Sequence, residues 1–293
     1  MLCAFILLAS TGATAQSSAG GASPGAQSPS SPQAKPTPSL ERSFFKNILR
    51  DQRAIWTSPF HMERGDAKWL APLGLSAAAL FATDRRTAGE LSADNQNRLR
   101  ISRDISQGGA VYTTGGIAAT FYLVGRATKN ARARETGLLG VEALIDGGIV
   151  STALKAISQR PRPTVDDASG EFFDGGNSFP SGHAISAWSL ATVVAYEYGQ
   201  HRPFVRFGAY GLATAVSLSR YTGRNHFLSD VLVGSAIGYG IGRYVYRAHH
   251  DTSLDSIEGE IKHRENHSKL IPFTSPIFSR ASQAYGLALA WNF

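Results

Sequence analysis

Three short blocks of the chain combine positively charged residues, histidines and a carboxylate. They occupy residues 155–163, 180–183 and 219–230. Fixed cations can neutralise the charge that builds up on a tetrahedral oxyanion, and a histidine can act as nucleophile or as proton donor. Attack on phosphorus needs charge neutralisation and an in-line nucleophile in one place. Together the blocks therefore predict a site that binds a phosphate-like group and attacks it without a metal.

The first block ends a predicted apolar helix and opens a long connection. Its cations are Lys155, near the helix end where a positive charge is favoured, and Arg162, which precedes Pro163. Considered alone, Lys155 fits a solvated helix end better than a binding site. Two further arginines, Arg160 here and Arg224 in the third block, stand at variable positions and could touch a substrate.

The second block, Pro180-Ser181-Gly182-His183, stands directly before a strongly apolar run. Serine is a good N-cap, so a helix is predicted to begin here. The free backbone N–H groups of a helix start attract an anion, and Gly182 lets that anion approach the backbone closely. His183 would lie on the first turn beside it. The same residues also fit an ordinary helix cap with an exposed histidine.

The third block places His226 and Asp230 four residues apart, after Ser219 and Arg220. If both lie on one helix, they share a face. A carboxylate there can fix the tautomer of the imidazole and leave its other nitrogen as nucleophile or base. The alternative for the pair by itself is an ion pair on a helix surface. Arg220 adds a third fixed cation to the predicted site.

The sequence offers no metal or cofactor site that we can identify. Cys3 is the single cysteine, which excludes a disulfide framework, a cysteine zinc site and a cysteine nucleophile in the folded part. No second carboxylate accompanies the histidines of the three blocks. We expect Asp84-Arg85-Arg86 to lie at a helix end or on a loop surface. We also expect surface positions for the remaining C-terminal histidines, which are His249, His250, His263 and His267.

Six apolar segments are predicted to form the helices that position these blocks. Small residues inside them let helices pack closely, and none is an uninterrupted apolar stretch of about 20 residues. The segments cover roughly 67–83, 108–125, 137–157, 183–199, 203–219 and 227–247. Residues 41–56 have amphipathic spacing and predict a surface helix. It packs on the others or, as the less favoured alternative, lies on a membrane.

The N-terminal residues 1–40 are not predicted to belong to the folded domain. Residues 1–15 predict a signal peptide, with an apolar run followed by the cleavage sequence Ala13-Thr14-Ala15. Residues 16–40 are mostly Ser, Pro, Gly and Ala and predict a disordered linker. One domain is then expected over 41–250, with its core at 67–247.

The remaining residues, 251–293, form a predicted C-terminal tail. In 285–293 large apolar residues alternate with small or polar ones, which is typical of a β-strand. This strand could pair with residues 270–279 at an edge. As a second alternative, it resembles the terminal strand of an outer-membrane protein, which alternates in the same way.

Composition narrows the class of protein. The chain has 29 Lys and Arg against 22 Asp and Glu, a net charge of +7 and a pI near 9.6, which indicates anionic partners. Hydrophobic residues at 43% and aromatic residues at 10% exclude a fully disordered protein. A mean hydropathy of −0.13 excludes a chain that mostly faces lipid.

The three blocks resemble the motifs of the type 2 phosphatidic acid phosphatase (PAP2) superfamily, which includes bacterial acid phosphatases and vanadium haloperoxidases. The pattern is Lys-x6-Arg-Pro, then Pro-Ser-Gly-His, then Ser-Arg-x5-His-x3-Asp. All eleven fixed positions match in order over residues 155–230. The resemblance implies an all-α fold with a PAP2-type six-helix bundle core. To this core the sequence adds an amphipathic N-terminal helix and a short β-like C-terminal tail.

The resemblance also implies a role for each matched residue. His226 would attack phosphorus and form a phosphohistidine, Asp230 would orient it, and His183 would protonate the leaving oxygen. The transition state would be held, without metal or cofactor, by Lys155, Arg162, Ser181, Gly182 and Arg220. We therefore expect a metal-independent phosphatase that acts on phosphate monoesters or diphosphates, those of lipids included.

Two alternatives stay open at this point. One is a vanadium-dependent haloperoxidase, because vanadate mimics the same transition state, and the other is a non-catalytic envelope protein on the same fold. The expected partners are a phosphorylated small molecule or lipid and a membrane surface, but not nucleic acid. The oligomeric state is not predicted.

The signal peptide favours export to the periplasm of a bacterial-type envelope. If the signal is cleaved, three spanning helices would place Lys155 inside the cell, whereas the resemblance implies an exported site. We therefore expect the bundle to be peripheral or only partly inserted in the membrane.

Overall fold

The computed structural model describes most of the chain from residue 40 onward. The described residues are 40–61, 65–92, 94–164, 170–200 and 202–255, together with the backbone of 273–279 and 284–290. The predicted signal peptide and all but the last residue of the predicted linker lie outside these residues. The same holds for His263 and His267.

The described residues form eight α-helices followed by two β-strands. The helices are α1 Leu40–Thr57, α2 Ala67–Gly89, α3 Gln96–Ser106, α4 Val111–Ala127, α5 Ala131–Ser158, α6 Gly182–Tyr198, α7 Pro203–Thr222 and α8 Leu228–His249. Short 3-10 turns, Ser58–His61 and Gln107–Gly109, follow α1 and α3. The strands are β1 Phe273–Ser279 and β2 Ala284–Ala290, which pair antiparallel with Phe273 opposite Ala290.

Each of the six apolar segments lies largely within one helix, namely α2, α4, α5, α6, α7 or α8. The sequence analysis did not predict α3, because its residues QNRLRISRDIS contain few apolar side chains and no continuous apolar stripe. Its start is nevertheless capped, since the Asn95 side chain accepts a hydrogen bond from the Arg98 backbone N–H at 2.9 Å. α3 is held against the end of α7, where Ser102 Oγ and Thr222 Oγ1 are 2.7 Å apart.

The main apolar core lies between α5, α6 and α8. Its fully or nearly buried members are Leu139, Ala143, Val150, Val193, Ile241, Val245 and Tyr246. Three glycines at four-residue spacing on α8, Gly234, Gly238 and Gly242, face the backbone of α6 or its N-cap residue, where a Cβ atom would overlap main-chain atoms. Small residues therefore allow these two helices to pack closely. This close contact also brings the starts of α6 and α8 together.

We expect Gly238→Ala to lower the free energy of unfolding by about 1–3 kcal/mol. The added methyl group would collide with the carbonyl oxygen of Ile185, and an overpacked contact of this kind costs about that much. Gly240→Ala on the same helix is the matched control, because no atom lies within 4 Å of its added methyl group. Alanine is there the better helix former by up to about 1 kcal/mol. Equal effects of the two substitutions in thermal unfolding would contradict the close contact.

The N-terminal helix α1 has the predicted extent, but its two fully buried residues are polar. Asn47 and Asp51 are buried, at 3% and 0% exposure, whereas Phe45 and Leu49 are 79% and 76% exposed. Ile55 packs against the apolar core, whereas Phe45 and Leu49 stay exposed. The reason is that α5 and α8 present polar partners to α1. The Gln52 side chain, for example, donates a hydrogen bond to Asp146 Oδ1 at 2.8 Å.

Among the described residues, one helix is long and apolar enough to cross a membrane, judged by length and composition. This helix is α5, and half of its most apolar stretch is buried inside the protein.

Candidate active site

The predicted site residues of all three blocks meet at one end of the helices. Lys155 lies in the last turn of α5, His183 in the first turn of α6, Arg220 in the last turn of α7 and Asp230 in the first turn of α8. The Ser181 backbone N–H donates to the Asp230 carbonyl at 3.1 Å and so joins the starts of α6 and α8. The fold thus gathers residues that are up to 75 positions apart in the sequence.

His226 and Asp230 face each other, but they do not share a helix as the spacing suggested. His226 precedes α8, and its backbone N–H donates to the Arg220 carbonyl at 3.2 Å. Asp230 Oδ2 accepts the Phe227 backbone N–H at 3.0 Å and so caps the helix start. The imidazole Nδ1 lies 3.7 Å from the same carboxylate oxygen, and both side chains are buried. This contact therefore depends on the turn before α8.

Ser178 joins this pair and was missed by the sequence analysis, because it lies outside the motif. Its Oγ donates to Asp230 Oδ2 at 2.6 Å and lies 3.3 Å from His226 Nδ1. The Nδ1 side of the imidazole thus faces Ser178 and Asp230. Nε2 is then the nitrogen left for a substrate.

A buried ion-pair network lies behind Asp230. Arg160 is only 2% exposed, and its Nη1 donates to Asp230 Oδ1 at 2.6 Å and to Ser229 Oγ at 2.8 Å. Its Nη2 donates to Asp84 Oδ2 at 2.9 Å. The prediction that Asp84 lies at a helix end or loop surface is wrong, because this carboxylate is 1% exposed. Arg160 thus contacts the partner of His226 and is buried behind it.

Aromatic rings enclose the guanidinium group of Arg160. Its Cζ atom lies 4.2 Å from the ring centre of Phe227, 5.0 Å from that of Phe172 and 5.3 Å from that of Phe81. A cation over aromatic faces is stabilised by the ring quadrupole, and the rings keep water away. In such a setting the two carboxylates cannot be solvated and must be paired. The position of Asp230 therefore depends on Arg160.

Asn177, which the sequence analysis also did not identify, accepts hydrogen bonds from two of the predicted cations. Lys155 Nζ donates to its carbonyl oxygen at 2.6 Å, and Arg162 Nε donates to its side-chain Oδ1 at 3.0 Å. The loop that carries Asn177 is tied back to the end of α5, for example by the Ser178 N–H to Arg160 carbonyl bond at 2.7 Å. The loop therefore positions the ammonium group of Lys155 and the guanidinium group of Arg162.

Two predicted phosphate ligands have buried polar atoms without a partner. Within the described part of the chain, Ser181 Oγ and Arg220 Nε make no hydrogen bond. Ser181 does occupy the predicted N-cap position of α6, but its side chain makes no capping bond. Buried donors are almost always satisfied in native proteins, so these two are available to a bound group that accepts hydrogen bonds. Gly182, next to Ser181, leaves the first backbone N–H groups of α6 accessible to such an anion.

The electrostatics of the site also suit an anion. Burial, followed by the charges of Arg162 and Arg220, lowers the pKa of Lys155 to about 8. Burial and the charge of Arg220 lower the pKa of His183 to about 4. Burial likewise lowers the pKa of His226 to about 4, although Asp230 opposes the shift. Both imidazoles are therefore neutral at pH 7 when no anion is bound.

Asp230 stays ionised in this site. Burial alone raises its pKa, but the adjacent His226 and the charge of Arg160 outweigh that effect and hold the pKa below its usual value. An ionised carboxylate beside Nδ1 stabilises a positive charge on the imidazole, as a nucleophilic histidine requires.

A cavity of about 390 Å³ opens beside His183 and Arg220. Arg103 and Gln107 at the end of α3 and Thr164 in the loop after α5 form part of its wall. Arg224, which the sequence analysis considered as a substrate contact, also lines the cavity. The end of α3 and the loop after α5 thus both contribute to the wall of this cavity.

A comparison with known families finds a match in the part of the chain that carries the motif blocks. The family model of the PAP2 superfamily matches residues 136–253, from α5 to just beyond α8. The match covers less than half of the chain, and over these residues it confirms the resemblance drawn from the motifs. The family model does not reach residue 41, so the start of the domain at that residue remains a prediction.

Three known proteins are similar to parts of this chain. Lipid A 1-phosphatase from Porphyromonas gingivalis is 39% identical over 70 residues, which are 24% of this chain and 16% of that protein. LpxE from Aquifex aeolicus has a solved structure that is 18% identical, with a TM-score of 0.42 over 54% of this chain and 90% of LpxE. A transmembrane PAP2-type phosphatidylglycerolphosphate phosphatase from Bacillus subtilis is 23% identical, with a TM-score of 0.45 over 70% of this chain and 92% of its own.

Proposed function

We propose that this protein is a metal-independent phosphatase of the PAP2 type that hydrolyses phosphate monoesters or diphosphates, those of lipids included. The observation that supports this function is the convergence of Lys155, Arg162 and Arg220 with unpartnered buried donors. This set lies around a histidine whose Nδ1 faces an ionised carboxylate. The arrangement suits a phosphoryl group in its transition state.

In the proposed reaction, His226 Nε2 attacks phosphorus. The P–N bond forms as the bond from phosphorus to the leaving oxygen breaks, and His183 gives its proton to that oxygen. A water molecule then attacks phosphorus, the P–N bond breaks, and His183 takes up the proton of the water. Asp230 stabilises the imidazolium of His226 during both steps.

The protonation states fit these roles. His226 is neutral when the site is empty of anions, as a nucleophile must be. His183 has to carry a proton to act as an acid, although its pKa is lowered to about 4 without an anion. A bound phosphate brings negative charge beside it, which raises its pKa and lets it be protonated in the complex.

A membrane surface is part of the proposal. Large apolar side chains are exposed on three helices, α1, α2 and α7: Phe45, Leu49, Trp69, Leu75, Phe204 and Phe207. An exposed apolar surface of this kind is typical of contact with lipid or another protein. We propose that the protein acts at a membrane of the cell envelope, on the periplasmic side, peripheral or partly inserted.

The test is phosphate release by the purified protein in the presence of a chelator. One substrate is a soluble monoester and the other is a polyprenyl or diacylglycerol phosphate in mixed micelles. Vanadate should inhibit release from either. Release from the lipid alone would specify a lipid phosphatase, and comparable release from the soluble ester would specify a broad acid phosphatase. No release from either, with halide oxidation after vanadate is added, would replace the proposal by the haloperoxidase alternative.

We expect Lys155→Arg to remove the alkaline limb of the pH profile of kcat/KM. Because the pKa of Lys155 is lowered to about 8, its charge and the rate should decrease above that pH, roughly tenfold per unit. Arginine stays protonated throughout this range. Lys129→Arg is the control, since Lys129 is exposed at the end of α4. An unchanged limb near pH 8 in Lys155→Arg would assign the titration to another group.

A further inference from the structure

A second polar cluster is buried between α1, α5 and α8, away from the three motif blocks. It consists of Asp51 on α1, Glu142 and Asp146 on α5, and His249 at the end of α8. Asp51 and Asp146 are 0% exposed and Glu142 is 2% exposed. Asp146 precedes Lys155 by nine residues on the same helix, about 13 Å along its axis. The cluster therefore lies closer to the N-terminus of α5 than the proposed active site does. His249 is not the surface residue that the sequence analysis expected.

The ligand atoms of three of these residues converge. His249 Nε2 lies 2.8 Å and 3.0 Å from the two carboxylate oxygens of Asp51 and 3.6 Å from Glu142 Oε1. All three donor atoms lie within 4.8 Å of one another. One nitrogen and two oxygens at this spacing can surround a single ion with small shifts of the side chains.

Two buried carboxylate oxygens of the cluster have no partner. Within the described part of the chain, Glu142 Oε1 and Asp146 Oδ2 accept no hydrogen bond. A buried acceptor without a donor is rare in native proteins. Both oxygens are therefore available to coordinate a cation.

The charges of the cluster do not balance when all of its carboxylates are ionised. Asp51, Glu142 and Asp146 then surround one imidazole, and even a protonated His249 would leave two negative charges. Arg50 lies nearby, but its exposed side chain donates to Asn47 Oδ1 at 2.8 Å. A divalent cation would neutralise the remainder.

We propose that Asp51, Glu142 and His249 bind a divalent metal ion, for which Zn²⁺ is the best match, with Asp146 as an adjacent carboxylate. Imidazole and carboxylate together suit zinc, whereas Mg²⁺ and Ca²⁺ prefer oxygen ligands alone. The ion would join α1 to α5 and α8. It would also explain why α1 buries Asp51 and exposes Phe45. Its role is structural, so the reaction proposed above does not depend on it.

A neighbouring cluster provides a matched comparison. His250 lies between Glu135 and Asp255, and each of its ring nitrogens is 3.0 Å from a carboxylate oxygen. Arg132 adds a second cation, 3.5 Å from Glu197 Oε2. The ligand atoms of Glu135, Glu197 and His250 also converge, and neither carboxylate oxygen of Glu197 accepts a hydrogen bond within the described residues. The difference is that two cations, a protonated His250 and Arg132, face these carboxylates, whereas the first cluster contains a single imidazole.

The test is zinc content after removal and return of the metal. The purified full-length protein is dialysed against a chelator, incubated with Zn²⁺ and freed of excess metal by gel filtration. We expect one zinc per chain by elemental analysis, a higher melting temperature, and visible absorption when Co²⁺ replaces Zn²⁺. A folded protein that retains no zinc would overturn the proposal, since proton sharing would then neutralise the carboxylates.

Matched variants assign the ion to its ligands. Glu142→Gln combined with His249→Gln should abolish zinc retention and the Co²⁺ absorption, and circular dichroism should verify that the helices persist. Should this double variant not fold, Glu142→Gln alone is measured and should still weaken zinc binding at least tenfold. Glu135→Gln combined with His250→Gln should retain one zinc. The assignment would be contradicted if the Glu142→Gln and His249→Gln double variant still bound zinc. It would also be contradicted if only the Glu135→Gln and His250→Gln double variant lost zinc.

Discussion

His226→Ala should decrease the rate of phosphate release at least a hundredfold. The variant keeps the cations that bind phosphate but lacks the nitrogen that we propose to attack phosphorus, so the covalent intermediate cannot form. Because both steps pass through this intermediate, the loss should be the same for good and poor leaving groups. Retention of more than about a hundredth of the wild-type rate would exclude His226 as the nucleophile.

His183→Ala separates the two histidines. If His183 protonates the leaving oxygen, its removal should harm alkyl phosphates much more than p-nitrophenyl phosphate, whose leaving group needs no proton. The measurement is kcat for both esters in both variants. Equal losses for the two esters in His183→Ala would show that this residue does not act as the acid. Binding of vanadate by each variant controls for an intact site.

Arg160→Met should have the second largest effect. Arg160 connects the buried carboxylates of Asp84 and Asp230, and removing one partner of a buried ion pair destabilises proteins by about 3–5 kcal/mol. The two carboxylates would then repel each other, and Asp230 would lose the contact that holds it beside His226. We expect kcat to fall at least tenfold with a smaller change in KM, because no substrate contact is removed.

A pH profile distinguishes positioning from a loss of stability alone. Arg160 contributes to the lowered pKa of Asp230. Without that charge the pKa of Asp230 rises, so the acid limb of kcat/KM should move to higher pH. Arg247→Met on the exposed surface of α8 is the control. An acid limb that stays in place while the melting temperature falls would make Arg160 a purely structural residue.

Asp84→Asn tests the far end of the same network. The amide keeps the size of the side chain but removes one negative charge next to Arg160, which then faces Asp230 alone. We expect a loss of stability and a smaller loss of kcat than in Arg160→Met. Asp84 does not contact His226, so a complete loss of activity in a folded Asp84→Asn variant would assign it a more direct role.

Sequence alone was sufficient to find the candidate site and most of its supporting helices. Matching residues at fixed local spacings identified Lys155, Arg162, His183, His226 and Asp230, and the fold brings them together. Apolar periodicity predicted seven of the eight described helices, α1 among them, because a helix that packs on a core usually has an apolar stripe. α3 was not predicted because the residues that it buries, Ser102 and Ser106, are polar.

The tertiary structure decided which polar residues are buried and with whom. Arg160 pairs with Asp84, 76 positions away, and His249 with Asp51, 198 positions away. Each residue in these pairs looks like an ordinary surface charge in the sequence, since nothing local indicates its partner. A charge is stable inside a protein only when another part of the chain supplies its counterpart. The motif therefore identified the candidate phosphate-binding and catalytic residues. The buried residues that support Asp230, which are Arg160 and Asp84, became evident only from the packing of the helices.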